Sequence, residues 1–183
     1  MTFSEQRVRN DTQRWLQGVV IALNLCPFAG REVSAGRVRY RVTDSDTEEG
    51  LLQVLEDEIH HLRDHSHTAT TLLIHPGVLQ DFDAYNQFLD LAESLLDRLG
   101  AIGELQIASF HPAYRFAGTG HQDPGNYSNR SPYPMLHLLR EADVEKAIDS
   151  HPDVDAIPER NIACLERLGL QHLTRLLASC QGN

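Results

Sequence analysis

Residues 70–112 read TTLLIHPGVLQDFDAYNQFLDLAESLLDRLGAIGELQIASFHP. Thr70 to Ile74 is an apolar run of strand length that stops at His75-Pro76-Gly77. Asp81 stands where a helix N-cap belongs, and Tyr85, Phe88, Leu89, Ala92, Leu95 and Leu99 recur inward until Gly100 closes the pattern. Leu105 to Phe110 is a second apolar strand, again ended by His-Pro. A strand, a helix of crossover length and another strand predict a βαβ unit, hence parallel pairing in one sheet.

The flanking segments extend this pattern. Val8, Trp15, Val19 and Leu23 share one face of a helix expected from Ser4 to Leu25, before Pro27. Val38 to Val42 alternates, with Arg37, Arg39 and Arg41 on one side, which predicts an edge strand. Thr47-Glu48-Glu49 opens a helix carrying Leu51, Leu55, Ile59 and Leu62 on one stripe. Helices are also expected over Pro132–Ser150, Pro158–Leu168 and Leu170–Ser179, with Gly169 breaking the last two. The predicted fold is α/β: a single globular domain over residues 1–183, with a short, mainly parallel sheet of three or more strands covered by helices. The Thr70 and Leu105 strands are apolar enough for burial on both faces.

Composition narrows the function. A formal net charge of −10 argues against nucleic acid, whose binding draws on Lys and Arg. The first residues, MTFSEQRVRNDTQRW, hold no signal-peptide core, and no apolar run is long enough to cross a membrane. Cys26, Cys164 and Cys180 form no disulfide framework and suit a reducing cytoplasm. The oligomeric state is open.

The functional candidates gather in residues 110–140, FHPAYRFAGTGHQDPGNYSNRSPYPMLHLLR. A loop this long is uncommon in a compact domain unless it works, and Phe110, Tyr114, Phe116, Tyr127 and Tyr133 argue against disorder. Ligands bind beyond the carboxyl ends of parallel strands, where both His-Pro pairs stand. His75 and His111 are therefore expected on one functional rim, although Pro ending a strand beside a solvated His is the plain alternative. Arg115 and Arg130 offer planar forks for carboxylate or phosphate, and Ser131-Pro132 is read as a helix start favouring an anion. Gly118, Gly120 and Gly125 permit close backbone approach; Asn126 and Asn129 add neutral hydrogen-bonding groups. The structural alternative spends these groups on turns, caps and ion pairs.

Asn24-Leu25-Cys26-Pro27-Phe28-Ala29, Asn129-Arg130-Ser131-Pro132-Tyr133-Pro134 and Leu136-His137-Leu138-Leu139-Arg140-Glu141 resemble motifs of the bacterial and plastid domain-of-unknown-function family 1415. The resemblance covers nearly the whole chain. It implies a shared fold and a shared site, and it supplies no mechanism.

The residues themselves favour a small-molecule enzyme acting on a compact anionic substrate. His111 would be its general acid or base, Asp123 would orient it or take a proton, and His137 and Cys26 complete the catalytic candidates. His75, Tyr114, Arg115, Asn126, Asn129, Arg130 and Ser131 would bind the substrate. A non-catalytic anion- or partner-binding protein is the second reading, with Tyr114, Phe116 and Tyr127 as an apolar patch. A metal- or thiol-dependent redox protein centred on Cys26 is the third. His111, His121, Asp123, His137 and Cys26 could donate to a metal, but their spacing fits no template and none is assigned. No Gly-rich nucleotide motif and no GxSxG elbow occurs, so no cofactor is expected. Cys26 lies between Leu25 and Phe28 and is expected mostly buried.

Overall fold

The structure, a computed structural model, describes residues 3–150 and 153–182. Four strands form one mixed sheet. They are β1 (Val38–Val42), β2 (Thr70–Ile74), β3 (Leu105–Phe110) and β4 (Met135–Arg140), in the order β1-β2-β4-β3. β1 runs parallel to β2, while β4 is antiparallel to both β2 and β3. The α/β architecture stands, but the sheet is mixed rather than mainly parallel.

β4 causes the difference. A helix was expected from Pro132 to Ser150, yet Met135–Arg140 is a strand and only Glu141–Asp149 is helical. Leu136 and Leu138 are sealed on one face while His137 and Leu139 point to the other, so the segment has a period of two. Its apolar run is short enough to read either way, and the gap between β2 and β3 decided the outcome. Ser131 caps no helix: its hydroxyl donates to Tyr133 O at 2.7 Å. β1 is an edge strand as expected, and β3, expected in the interior, is the other edge.

One face of the sheet carries α3 (Glu48–Asp64) and α4 (Phe82–Arg98). Thr47 and Asp81 cap them, their side chains accepting from Gly50 N and Ala84 N. Leu51, Leu55, Ile59, Leu62, Tyr85, Phe88, Leu95 and Leu96 pack there against Leu73, Leu105, Leu136 and Leu138. Glu58 on α3 is 2% exposed and takes a bidentate pair from Arg39 at 2.7 and 3.0 Å, with Arg41 at 3.6 Å. The arginine side of β1 thus has a buried counter-charge.

The other face is covered less regularly. α1 (Glu5–Trp15) continues through a π-helical segment, Leu16–Ile21, before the chain turns at Asn24, whose φ is 53°. Short α2 (Ala29–Ser34), α5 (Glu141–Asp149), α6 (Ile157–Leu168) and α7 (Leu170–Cys180) complete that layer. The single helix expected over Ser4–Leu25 is therefore α-helical only in its first half. Asp11, fully buried, ties α1 to the chain's far end: it accepts from Tyr133 Oη at 2.7 Å and Gly182 N at 3.2 Å and pairs with Arg14. Burial first, and this carboxylate second, push the Tyr133 phenol up to about 12. Among the described residues, no helix is long and apolar enough to cross a membrane.

Candidate functional site

β2 and β3 point the same way on either side of β4, so His75 and His111 leave the same sheet edge. Both are sealed there. His75 Nδ1 donates to Val78 O at 3.0 Å, and its main-chain N–H donates to Pro134 O at 3.1 Å. His111 Nδ1 accepts from Ala113 N at 3.0 Å, and Nε2 donates to Leu79 O at 3.2 Å. Tyr85 Oη lies beneath them, donating to Met135 O at 2.8 Å and accepting from Phe110 N at 3.1 Å. Burial lowers both imidazoles, His75 to about 4, so each ring is neutral near pH 7. The two His-Pro pairs close strand ends. With both nitrogens of His111 holding main-chain groups and the ring 1% exposed, that residue has no free atom for a substrate proton.

The loop between β3 and β4 spends most of its polar groups on its own shape. Asn126 Oδ1 accepts from Phe116 N at 3.0 Å and Thr119 Oγ1 at 2.8 Å, while its Nδ2 donates to Gly120 O at 2.8 Å. Asp123 accepts from Gly125 N at 2.8 Å, and Asn129 Nδ2 donates to Ser109 O at 3.1 Å. Arg130 donates to Tyr114 O at 3.2 Å and His121 O at 2.7 Å, with its guanidinium 4.6 Å above the Tyr127 ring. Arg115 donates to His121 Nε2 at 2.8 Å and pairs with Asp83 at 3.7 Å. Arg115 and Arg130 do converge, around His121, but both forks are engaged. Tyr114 packs between Phe82 and Phe116 at 5.3 and 5.0 Å, and Tyr127 is buried, so of the expected aromatic patch only Phe116 is exposed.

The remaining two candidates, Cys26 and His137, meet elsewhere. Between the sheet and the irregular helical layer lies a pocket of about 340 Å³. Trp15, Leu16 and Val20 from α1 and the π-helical segment form one wall; Cys26, Phe28, Ala29 and Val33 form another. Thr70, Leu72, Gln106, Ala108, Phe110, His137 and Leu139 make the floor, and Val144 and Ala147 of α5 close the far side. Trp15 meets Phe110 edge-on at 5.3 Å, and Phe110 lies 5.9 Å from the His137 ring. Trp15 is itself fixed by its Nε1, which donates to Arg130 O at 2.9 Å.

His137 is oriented by a relay. Thr70 Oγ1 donates to Leu138 O at 2.5 Å, so its lone pairs face His137 Nε2 at 2.7 Å. Nε2 must then carry the proton, which leaves Nδ1 as a bare acceptor. Burial holds the ring down at about 4, and what surface it keeps is part of the pocket lining. Cys26 is half-buried rather than sealed. Sequence reading named His137 and Cys26 for other reasons and missed Thr70 and Gln106. Their one signal was polarity inside apolar strand runs.

Glu32, Arg140 and Asp143 mark the polar rim. Arg37 bridges Glu32 at 3.2 Å and Asp143 at 3.5 Å, joining α2 to α5. Arg140 is held by the Thr68 and His65 carbonyls, both at 3.1 Å, and by Leu62 O. A second hollow, about 510 Å³, lies by Arg63, Glu104 and Arg140 at the start of β3. Its guanidiniums likewise hold main-chain carbonyls, those of Leu99 and Gly100 for Arg63. Among the described residues, no three His, Cys, Asp or Glu side chains converge as metal donors.

No curated protein and no solved structure matches the chain. A family model does, over residues 7–175, so the two motifs around Cys26 and His137 sit within the matched region. The chain belongs to the family described as protein of unknown function (DUF1415).

Proposed function

We propose that this is a small-molecule-binding protein whose ligand sits in the pocket between the sheet and α2 and α5. The observation that carries the reading is a pocket of about 340 Å³, walled mainly by aliphatic and aromatic side chains, with a neutral His137 in its floor. That volume lies within the range of small-molecule sites, which are mostly apolar with a few placed polar groups. The π-helical segment in the wall adds weight, because such turns often accompany functional sites.

The same lining argues for an uncharged ligand. Arg37 and Arg140 are already paired at the rim, and Glu32 and Asp143 would repel an anion. An anion would lose its hydration without gaining a free cation. This reading replaces the compact anionic substrate expected at loop 110–137, where the guanidiniums are engaged by the loop itself.

The test uses toluene as an apolar probe. Titration is expected to shift the methyl resonances of Val20, Leu72 and Leu139. Ala108→Phe, which places a ring in the pocket, is expected to abolish those shifts while the protein stays folded. Shifts confined to surface residues, or persisting unchanged in Ala108→Phe, would reject the pocket as the site.

A further inference from the structure

Resting on that pocket, we infer that it selects an uncharged aromatic molecule bearing an N–H or O–H donor, with His137 Nδ1 as its acceptor and the Gln106 amide as a second contact. Thr70 already saturates Nε2, and Nδ1 has no partner among the described residues. His137 is only partly buried and its open surface lines the pocket. Gln106 lines the same pocket and makes no side-chain hydrogen bond among the described residues.

Strand register brings the two together. His137 lies opposite Ala108, and Gln106 opposite Leu139, so Gln106 and His137 are diagonal neighbours on one face. Diagonal pairs stand roughly 7–8 Å apart, a span that one small ring system can bridge. An imidazole that must stay neutral and is protonated on the far nitrogen can only accept at Nδ1. A ligand without a donor leaves that acceptor buried and unmatched, which is the asymmetry that makes polar recognition selective. Trp15, Phe110 and the His137 ring itself supply aromatic walls, favouring a flat body. Gln106 can give or take a hydrogen bond, so the donor requirement rests on His137.

Indole and 1-methylindole differ by that one donor. Calorimetry on the intact protein is expected to show indole binding at least roughly ten-fold tighter. His137→Phe, which keeps a flat ring, should bring indole down to the level of 1-methylindole. Should that variant unfold, the histidine long-range ¹H–¹⁵N spectrum of the unsubstituted protein still decides: indole should move the Nδ1 resonance, and 1-methylindole should not. Equal affinities, or an unmoved Nδ1, would overturn the donor requirement while leaving the pocket intact. If toluene fills the pocket but indole does not enter, the donor inference alone falls. If none of the three probes perturbs pocket residues, the pocket reading falls with it.

Discussion

The two faces of the sheet share every strand and differ in what covers them. α3 and α4 are long, capped, regular helices whose apolar stripes pack on Leu73, Leu136 and Leu138 in one buried cluster. On the opposite face, beside α6 and α7, the cover around the pocket is a helix that widens into π geometry, a six-residue α2 and an α5 with no buried residue. Two straight stripes fill a surface; short and irregular pieces leave space. Close packing is what makes a face carry stability, so the space left on the second face is where a ligand can take the place of side chains.

Neighbouring leucines in β4 give the sharpest contrast, because Leu138 faces α3 and α4 while Leu139 faces the pocket. Leu138→Ala is expected to cost about 3–4 kcal/mol of stability, the sum of lost transfer energy and a rigid cavity. Leu139→Ala merely enlarges existing space and should cost about 1 kcal/mol. Urea unfolding of the two variants measures both, and equal losses would break the contrast between the faces.

Acid should reveal the histidines next. At pH 7 His75 and His137 are neutral in the folded chain and mostly neutral in the unfolded one. Below 6.5 the unfolded chain takes up protons that the folded rings refuse until about 4, so stability is lost as pH falls through that window. Each ring accounts for roughly 3 kcal/mol at the acid end. Unfolding free energies of His137→Gln across that window should show a shallower slope than the unsubstituted protein. An unchanged slope would mean that the pocket face is wet.

The smallest effect is at the rim. Arg37→Ala removes half-exposed ion pairs to Glu32 and Asp143, worth under about 1 kcal/mol globally. Hydrogen exchange in α5 should nevertheless accelerate, since that helix buries no residue of its own. Unaltered exchange would show that α5 is held from elsewhere.

Much of this was legible in the chain. Thr70–Ile74, Leu105–Phe110 and the helix between them carry their periods in plain view, and Asp81 announces its cap. The shared rim of His75 and His111 also followed, because two strands flanking a reversed one still end together. β4 was illegible because a short run of leucines around one histidine suits either period, and only its neighbours choose. The loop's arginines and asparagines announced polarity without saying whether ligand or backbone would receive it. The pocket was hidden for a deeper reason: it arises where elements fail to fill a volume, and no residue encodes an absence.

β4 joins the chain last among the strands and lies between two made earlier. Until residues 135–140 are made, no strand can fill the place between β2 and β3, and Leu72 lacks its native neighbour His137. Only β1 and β2 can pair before then. Closing so distant a contact is entropically slow, and two bare apolar edges invite foreign strands in the interval. Once formed, the internal bonds of the loop from Asn126 and Arg130 shorten the free chain across which β4 must close onto β3.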